Sequence, residues 1–278
     1  MNCCVRRRRR SRDRGRTGLG PARGNESLPI WQGQGHCAVT SSRVLVVEDD
    51  PSVRRFVQMA LEPLGAELVQ CATLAEARRA LEAGWAQVVL TDLSLPDGSG
   101  LDLLAWMQAV PGATDRPACR TVVFSGGIDP VAERNLAGLG VWRVLRKPAS
   151  VGALMACVSE ALLSVAEPEP HVEAVARGRA CDPVAEFFGG NRVLFDTYRR
   201  ACQKQFLVDL RAGDAAASAR DCAALRHVAH NLKSVLTMLG ELHAADCARS
   251  AEESAAGGAS EAMVQDWHRL RSHIAQLI

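Results

Sequence analysis

The chain has 278 residues, of which 47% are hydrophobic and 23% charged, and its formal net charge is +2. This length suffices for about two domains, and the composition is too apolar for a wholly disordered protein. The charge is uneven, because residues 1–42 hold nine arginines and two acidic residues (+7), whereas the remainder holds 24 basic and 29 acidic residues (−5). A uniformly basic nucleic-acid-binding protein is therefore excluded.

Residues 1–42 are rich in Arg, Gly, Ser and Pro and show no hydrophobic periodicity, which predicts a disordered tail. A contact with nucleic acid or acidic lipid is one interpretation. An extension without function is favoured, because no aromatic residue interleaves the arginines. The tail has no apolar signal-peptide core, no later segment is apolar enough to span a membrane, and the ten cysteines form no C-x-x-C pair. These features predict a cytoplasmic protein.

Short apolar runs alternate with helical patterns from residue 43 to residue 166. Strands are predicted at Val44–Val47, Leu68–Cys71, Val88–Thr91, Thr121–Phe124 and Val141–Leu145. Helices are predicted after the caps Asp50, Thr73 and Ser150, around Leu101–Val110, and around Pro130–Leu139. Five strands alternating with helices predict an α/β domain with a parallel, doubly wound sheet.

Residues 167–183 are polar and rich in proline, which predicts an interdomain linker, and residues 184–278 show only helical patterns. Short connections between helices favour an antiparallel bundle. Helices are predicted at Ala185–Phe188, Arg192 to about Ala212, Ala215–Leu239, Leu242–Ala256 and Ser260–Leu277, with Ser260 as the N-cap of the last.

Polar side chains follow the predicted strands at the point where each ends. Ligands of doubly wound sheets bind at the carboxyl ends of the strands, so we expect these side chains to lie together. Clustered carboxylates repel one another and favour a divalent cation, and their hard oxygen ligands suit Mg²⁺. A carboxylate beside Mg²⁺ can accept a phosphoryl group, while a lysine and a hydroxyl bind its oxygens. The residues are Glu48, Asp49, Asp92, Ser125 and Lys147.

These residues lie in the motifs VLVVEDD, VVLTDLSLPDGSG, TVVFSGG and LRKP, and residues 43–166 thereby resemble the response-regulator receiver family. The resemblance implies a flavodoxin-like fold with Asp92 as the phosphoacceptor. It also implies a Mg²⁺ site in which Asp49 binds the ion directly, Glu48 assists, and the Ser94 backbone carbonyl completes the protein ligands. Ser125 and Lys147 are implied as contacts of the phosphoryl group.

The family often has an aromatic switch residue three positions before the lysine, and this chain has Val144 there. Trp142, two residues earlier, is expected to face the same side of the strand. Ser125 is followed by Gly126 and Gly127, so the loop after the hydroxyl carries no side chains at these two positions.

The segment CAALRHVAHNLKSVLTMLGEL contains a second candidate site. Its apolar residues fall on one helical stripe, and His230 lies on the opposite side, where it is expected to face water. A neutral exposed imidazole is a competent phosphoryl acceptor near pH 7, and Lys233 one turn later can pair with phosphate. A solvated polar face remains an alternative. Metal binding by His227 and His230 is another, although no third ligand has a clear spacing.

The run HNLKSVLTMLG resembles the histidine phosphotransfer (HPt) family, with Ser234 where glycine is common. This resemblance implies an all-α four-helix HPt bundle over residues 184–278, with phosphorylation at His230 supported by Lys233. No glycine-rich nucleotide-binding loop occurs, so phosphorylation from ATP is not expected.

Together the two resemblances predict a phosphorelay carrier that is not an enzyme acting on a small substrate. They imply sensor histidine kinases, hybrid-kinase receivers and other response regulators as partners. The hydropathy predicts no membrane span, and a nucleic-acid partner is not favoured, with only the arginine-rich tail leaving that alternative open. The alternative is a non-catalytic interaction module, in which a phosphorylation-gated receiver controls a docking or dimerisation bundle.

Overall fold

The computed structural model describes residues 42–110, 119–126, 136, 138–163, 171–173 and 182–278. The predicted tail, residues 1–42, lies outside this part except for its last residue, and most of the predicted helix at Pro130–Leu139 also lies outside it. In the first half, the main strands are β1 (Arg43–Val47), β2 (Glu67–Cys71), β3 (Val88–Thr91), β4 (Arg120–Ser125), β5 (Arg143–Arg146) and β6 (His171–Glu173). The helices are α1 (Pro51–Leu61), α2 (Leu74–Ala83), α3 (Gly100–Ala109) and α4 (Val151–Leu163).

These strands form one parallel sheet in the order β2-β1-β3-β4-β5-β6. The five predicted strands occur in the order expected of a flavodoxin-like fold. These five strands form the predicted parallel sheet, and a sixth strand that was not predicted extends it, because β6 pairs with β5 in the register Arg143↔His171. This strand lies inside the predicted linker. Three residues are too few to show strand alternation in the sequence, and β6 forms where the edge of β5 offers unpaired backbone groups.

The predicted caps of the receiver half are present. Asp50 accepts hydrogen bonds from the amides of Ser52 and Val53 at the start of α1. Thr73 accepts from the Glu76 amide at the start of α2, and Ser150 accepts from the Ala153 amide in α4. Each of these bonds satisfies a backbone amide at a helix N-terminus that has no partner within the helix, so the caps fix where the helices begin.

The helical half contains α5 (Pro183–Phe188), α6 (Arg192–Ala219), α7 (Cys222–Met238), α8 (Leu242–Ala256) and α9 (Ser260–Ala275). Four long helices therefore form a bundle, preceded by one short helix. Two sequence expectations are wrong here. The two helices predicted on either side of residue 213 are one helix, α6, which continues to Ala219. Gly213 does not end the helix; its missing side chain leaves space for the ring of Trp267. Ser260 does not cap α9; the N-cap is Ala259, without a side-chain bond.

The bundle packs against α1 and α4 through a shared hydrophobic core. Phe56 of α1 contacts the rings of Phe188 and Tyr198, each with a centroid distance of 5.6 Å. All three side chains are buried. Buried aromatic contacts of this kind contribute strongly to packing, so the sheet domain and the bundle form one compact unit over residues 40–278. Residues 167–170 and 174–181 of the predicted linker lie outside the described residues.

Candidate functional site

The residues predicted from the strand ends meet at the carboxyl edge of the sheet. Glu48 and Asp49 follow β1, Asp92 follows β3, Ser125 ends β4 and Lys147 follows β5. The ligand oxygens of Glu48, Asp49 and Asp92 lie within 4.8 Å of one another. Lys147 Nζ donates a hydrogen bond of 2.6 Å to Asp92 Oδ2 and another to Glu48 Oε2. The prediction that these side chains converge is confirmed.

Burial and the attraction between Lys147 and the carboxylates dominate the electrostatics of this cluster. Burial, with some repulsion from Asp92, raises the pKa of Glu48 to about 8, although Lys147 opposes the shift. Burial alone would lower the pKa of Lys147, but the carboxylates of Glu48 and Asp92 outweigh it and raise that pKa above its usual value. Lys147 is therefore a fixed positive charge beside Asp92, where it can neutralise an added phosphoryl oxygen.

Two buried oxygens at this edge have no hydrogen-bond partner among the described residues. They are Asp49 Oδ1 and Ser125 Oγ. Buried polar atoms are usually satisfied, so unpaired ones at a carboxylate cluster indicate a place for a ligand. The three carboxylates supply hard oxygen ligands, and the free oxygen of Asp49 is available to a cation, which together fit Mg²⁺.

The loop after Asp92 brings its backbone against the site. The amides of Leu93 and Ser94 donate to Asp92 Oδ1 at 2.5 and 3.3 Å. Gly100 lies so close that a Cβ there would be 2.1 Å from the Asp92 carbonyl oxygen, which explains the glycine. The structure thus places Ser94 beside Asp92, and the use of its carbonyl as a metal ligand stays a prediction.

His230 lies in α7 and is held by a residue that sequence reasoning missed. Its Nδ1 is 2.7 Å from Glu252 Oε1 of α8. Burial would raise the pKa of Glu252, but hydrogen bonds from His230 and Lys233 outweigh it and lower that pKa to about 2. The ionised carboxylate only accepts, so Nδ1 carries the proton and Nε2 of the neutral ring carries the lone pair. This tautomer is the nucleophilic one at Nε2.

Lys233 is also bound by Glu252, through Oε2. The lysine therefore lies beside His230 as predicted, but its partner in this structure is a carboxylate. Glu252 had no recognisable signal, because it lies 22 residues after His230 in a helix whose packing the sequence did not reveal. Only a prediction of which face of α8 meets α7 would have found it.

The polar face of α7 meets the carboxylate edge of the sheet. Asn231 Nδ2 donates to Asp49 Oδ2 at 2.9 Å, and His227 Nε2 lies 2.8 Å from the same oxygen. Burial would raise the pKa of Asp49, but these two hydrogen bonds outweigh it and lower that pKa. The hydrogen bond to Asp49 raises the pKa of His227, although burial of the ring opposes this shift. Nothing in the sequence predicted that Asn231 or His227 contacts Asp49; both residues are merely close to His230 along the chain.

Gly126, directly after Ser125, lies beside His230. A Cβ on Gly126 would be 3.8 Å from Cε1 and 3.9 Å from Nε2 of His230, and 3.7 Å from Ser234 Oγ. The expectation that His230 faces water is therefore wrong: its side chain is only 17% exposed, because α7 docks on the sheet edge. His227 and His230 contact different carboxylates, which gives no support to the alternative that they share a metal.

A family model for the response regulator receiver domain matches residues 44–159. This part of the chain is a receiver domain. The response regulator protein PilR of Pseudomonas aeruginosa is 30% identical over 124 residues, which are 45% of this chain and 27% of PilR. The KDP operon transcriptional regulatory protein KdpE of Escherichia coli is 33% identical over 127 residues, which are 44% of this chain and 51% of KdpE.

The chain spans about a quarter to a half of the length of these curated relatives. A receiver domain protein from Methanospirillum hungatei has 24% identity and a TM-score of 0.40, and the match covers 44% of this chain and 94% of that one. Receiver domains are phosphorylated on aspartate, generally bind Mg²⁺ in an acidic pocket, and interact with histidine kinases and other signalling proteins. Among the residues described, no helix has the length and apolar character needed to cross a membrane.

One expectation about the receiver domain is wrong. Trp142 packs in the core with Leu145, whereas Val144 packs in the cluster on the other side of the sheet. Side chains two residues apart face the same side only within a strand, and Trp142 lies before the first residue of β5, Arg143. Trp142 and Val144 therefore do not share a face. The Trp142 ring lies under the guanidinium of Arg143 at 4.5 Å and cannot substitute for an aromatic at position 144.

Proposed function

We propose that this chain is a two-component phosphorelay protein in which Asp92 of the receiver domain and His230 of an HPt bundle exchange a phosphoryl group. The observation that carries the proposal is the docking of α7 on the carboxylate edge, with His230 beside Gly126 and Asn231 hydrogen-bonded to Asp49. Both candidate acceptors thus border one site of this chain. The proposal makes the protein a carrier without turnover of a small substrate.

In the first step, a carboxylate oxygen of Asp92 attacks phosphorus. A P–O bond forms, the donor's bond to phosphorus breaks, and the donor keeps its electron pair. Lys147, 2.6 Å from Asp92 Oδ2, and the unpaired hydroxyl of Ser125 are placed to bind the phosphoryl oxygens. Glu48, Asp49 and Asp92 would hold Mg²⁺, which supplies neutralising charge for those oxygens.

In the second step, the Nε2 lone pair of His230 attacks phosphorus. A P–N bond forms, and the P–O bond to Asp92 breaks with its electron pair returning to the carboxylate. No proton has to move, because Nδ1 keeps its proton in the bond to Glu252. The carboxylate also balances the positive charge that the ring gains, as an orienting acid does for a catalytic imidazole. The reverse transfer uses the same atoms.

Radiolabelled acetyl phosphate and Mg²⁺, followed by acid and base treatment of the protein, test the proposal. We expect an acid-labile, base-stable label on the wild type that His230→Gln removes and the matched control His268→Gln, a change in an exposed histidine of α9, retains. Asp92→Asn removes all label, whereas Asp97→Asn, a change in a carboxylate that caps α2, leaves it. A base-stable label that survives His230→Gln would overturn the HPt assignment and favour an interaction module.

A further inference from the structure

A second group of metal-binding side chains lies away from the sheet, on the outer side of the bundle. His243 and Cys247 are four residues apart in α8, so they share one face of that helix, and His273 projects from the last turn of α9. Their ligand atoms all lie within 4.8 Å of one another. Two helices therefore bring two imidazoles and a thiol together at a site that is separate from Asp92 and His230.

The three residues line a surface cleft of about 460 Å³. His243 is exposed, and Cys247 and His273 are half-buried, so an ion from solvent has access. The rings of His243 and His273 meet edge to face at 4.6 Å. This arrangement leaves ring nitrogens of both residues near the thiol of Cys247.

Other charges in the cleft leave the cluster open to a cation. Arg269, the nearby base, lies 3.4 Å from Asp266 and is neutralised by it. Asp246, also in the cleft, is an exposed carboxylate whose Oδ1 lies 3.1 Å from Arg249; because both side chains are exposed, it can turn from this partner to supply a fourth ligand. Burial raises the pKa of Cys247, so the sulfur is a thiol before a metal binds.

Sulfur and imidazole ligands favour zinc over magnesium. At zinc bond lengths of about 2.0 to 2.3 Å, the donors of a tetrahedral site lie roughly 3.3 to 3.8 Å apart. The side chains therefore need to close by only about 1 Å, which small rotations about their χ angles provide.

We propose that His243, Cys247 and His273 bind a zinc ion, with the fourth position taken by Asp246 or water. On binding, the sulfur–hydrogen bond of Cys247 breaks, the proton passes to water, and the thiolate forms the bond to zinc. The ion clamps the start of α8 to the end of α9. This proposal does not depend on phosphotransfer.

Titration of the metal-free, reduced full chain with Co²⁺ in saturating Mg²⁺ tests the proposal. The Mg²⁺ keeps Co²⁺ out of the acidic pocket. A charge-transfer band from sulfur to cobalt in the near ultraviolet reports binding at the cluster, because only a thiolate ligand gives this band. We expect that band, and we expect stoichiometric Zn²⁺ to remove it. Cys247→Ser abolishes it, whereas Cys222→Ser, a matched change in another half-buried cysteine, preserves it. His243→Gln and His273→Gln weaken Co²⁺ binding by about tenfold or more, since each removes a ligand.

Because His243 is exposed, His243→Gln is expected to fold normally, so it tests the proposal even if another variant unfolds. Circular dichroism of each variant checks the fold. Absence of a thiolate band in the wild type overturns the proposal. So does a band that persists in Cys247→Ser, or one that His243→Gln leaves at full affinity.

Discussion

Asn231 Nδ2 donates a hydrogen bond of 2.9 Å to Asp49 Oδ2, which joins the helix that carries His230 to the acidic pocket of the receiver domain. The two residues are 182 positions apart in sequence. This bond and the neighbouring one from His227 fix the orientation of α7 over the carboxylate edge. This orientation, more than the mere attachment of two domains, is the basis of the proposed transfer between Asp92 and His230 in one chain.

Loss of the Asn231 bond is expected to slow transfer without preventing phosphorylation of Asp92. A hydrogen bond to a charged group contributes about 1.5 to 3 kcal/mol, so Asn231→Ala should reduce the rate of transfer to His230 by about tenfold or more. Asn231→Asp should reduce it further, because it sets a second carboxylate against Asp49. Quench-flow separation of the base-labile and base-stable labels measures both steps. Unchanged transfer in Asn231→Asp would show that this contact has no part in docking.

The absence of a side chain at Gly126 should be necessary for His230 to approach the phosphorylation site beside Ser125. A methyl group there meets His230 and Ser234 at ordinary contact distances, so Gly126→Ala is expected to retain transfer. Gly126→Leu adds three more carbons at this contact and should block the approach of Nε2 while Asp92 still accepts phosphate. Transfer rates of the two variants, measured beside Asp92 labelling, test this. Equal rates would mean that His230 reacts from a different position.

Glu252 should stabilise the bundle in a pH-dependent way. Its pKa in the folded protein is about 2, below the usual 4.5, so its contribution to stability is full above about pH 4.5 and is lost as the pH falls toward 2. We expect Glu252→Gln to lower the free energy of unfolding by about 2 kcal/mol at pH 7 and by less at pH 3. Urea unfolding at both values measures this. Glu253→Gln, an exposed neighbour, is the control, and a deficit that does not shrink with acid would refute the assignment.

Gly213 should resist substitution although alanine is the better helix former. A Cβ at this position would lie 2.1 Å from the Trp267 ring, whose Nε1 donates to Asp214 at 2.9 Å. Gly213→Ala is therefore expected to cost about 2 kcal/mol through overpacking, which exceeds the gain in helix propensity. Thermal unfolding measures the change. Gly257→Ala, whose Cβ meets only ordinary contacts, should be near neutral, and similar effects of the two variants would contradict the packing explanation.

The sequence was sufficient to place the receiver site. Parallel strands end at one edge, so residues that follow them must converge, and Glu48, Asp92 and Lys147 do. Caps such as Asp50 and Thr73 were equally predictable, because each acts within a few residues of itself.

Contacts between distant segments were not predictable in the same way. Glu252 contacts His230 only because α8 packs on α7, and Asn231 contacts Asp49 only because the bundle docks on the sheet. The helix break expected near Gly213 failed for the same reason, since a ring 54 residues later fills the space beside it. Periodicity reports which face of a helix is apolar, but not which element covers it.

The central claim, transfer between Asp92 and His230 of one chain, is tested most directly by following the base-stable label at several protein concentrations. The protein is first labelled on Asp92 with acetyl phosphate and the donor is removed. We predict that label passes to His230 at a first-order rate that does not change with concentration, and that a mixture of Asp92→Asn and His230→Gln chains transfers far more slowly. A rate proportional to concentration, or transfer in the mixture as fast as in the wild type, would contradict the docked geometry as the path of transfer.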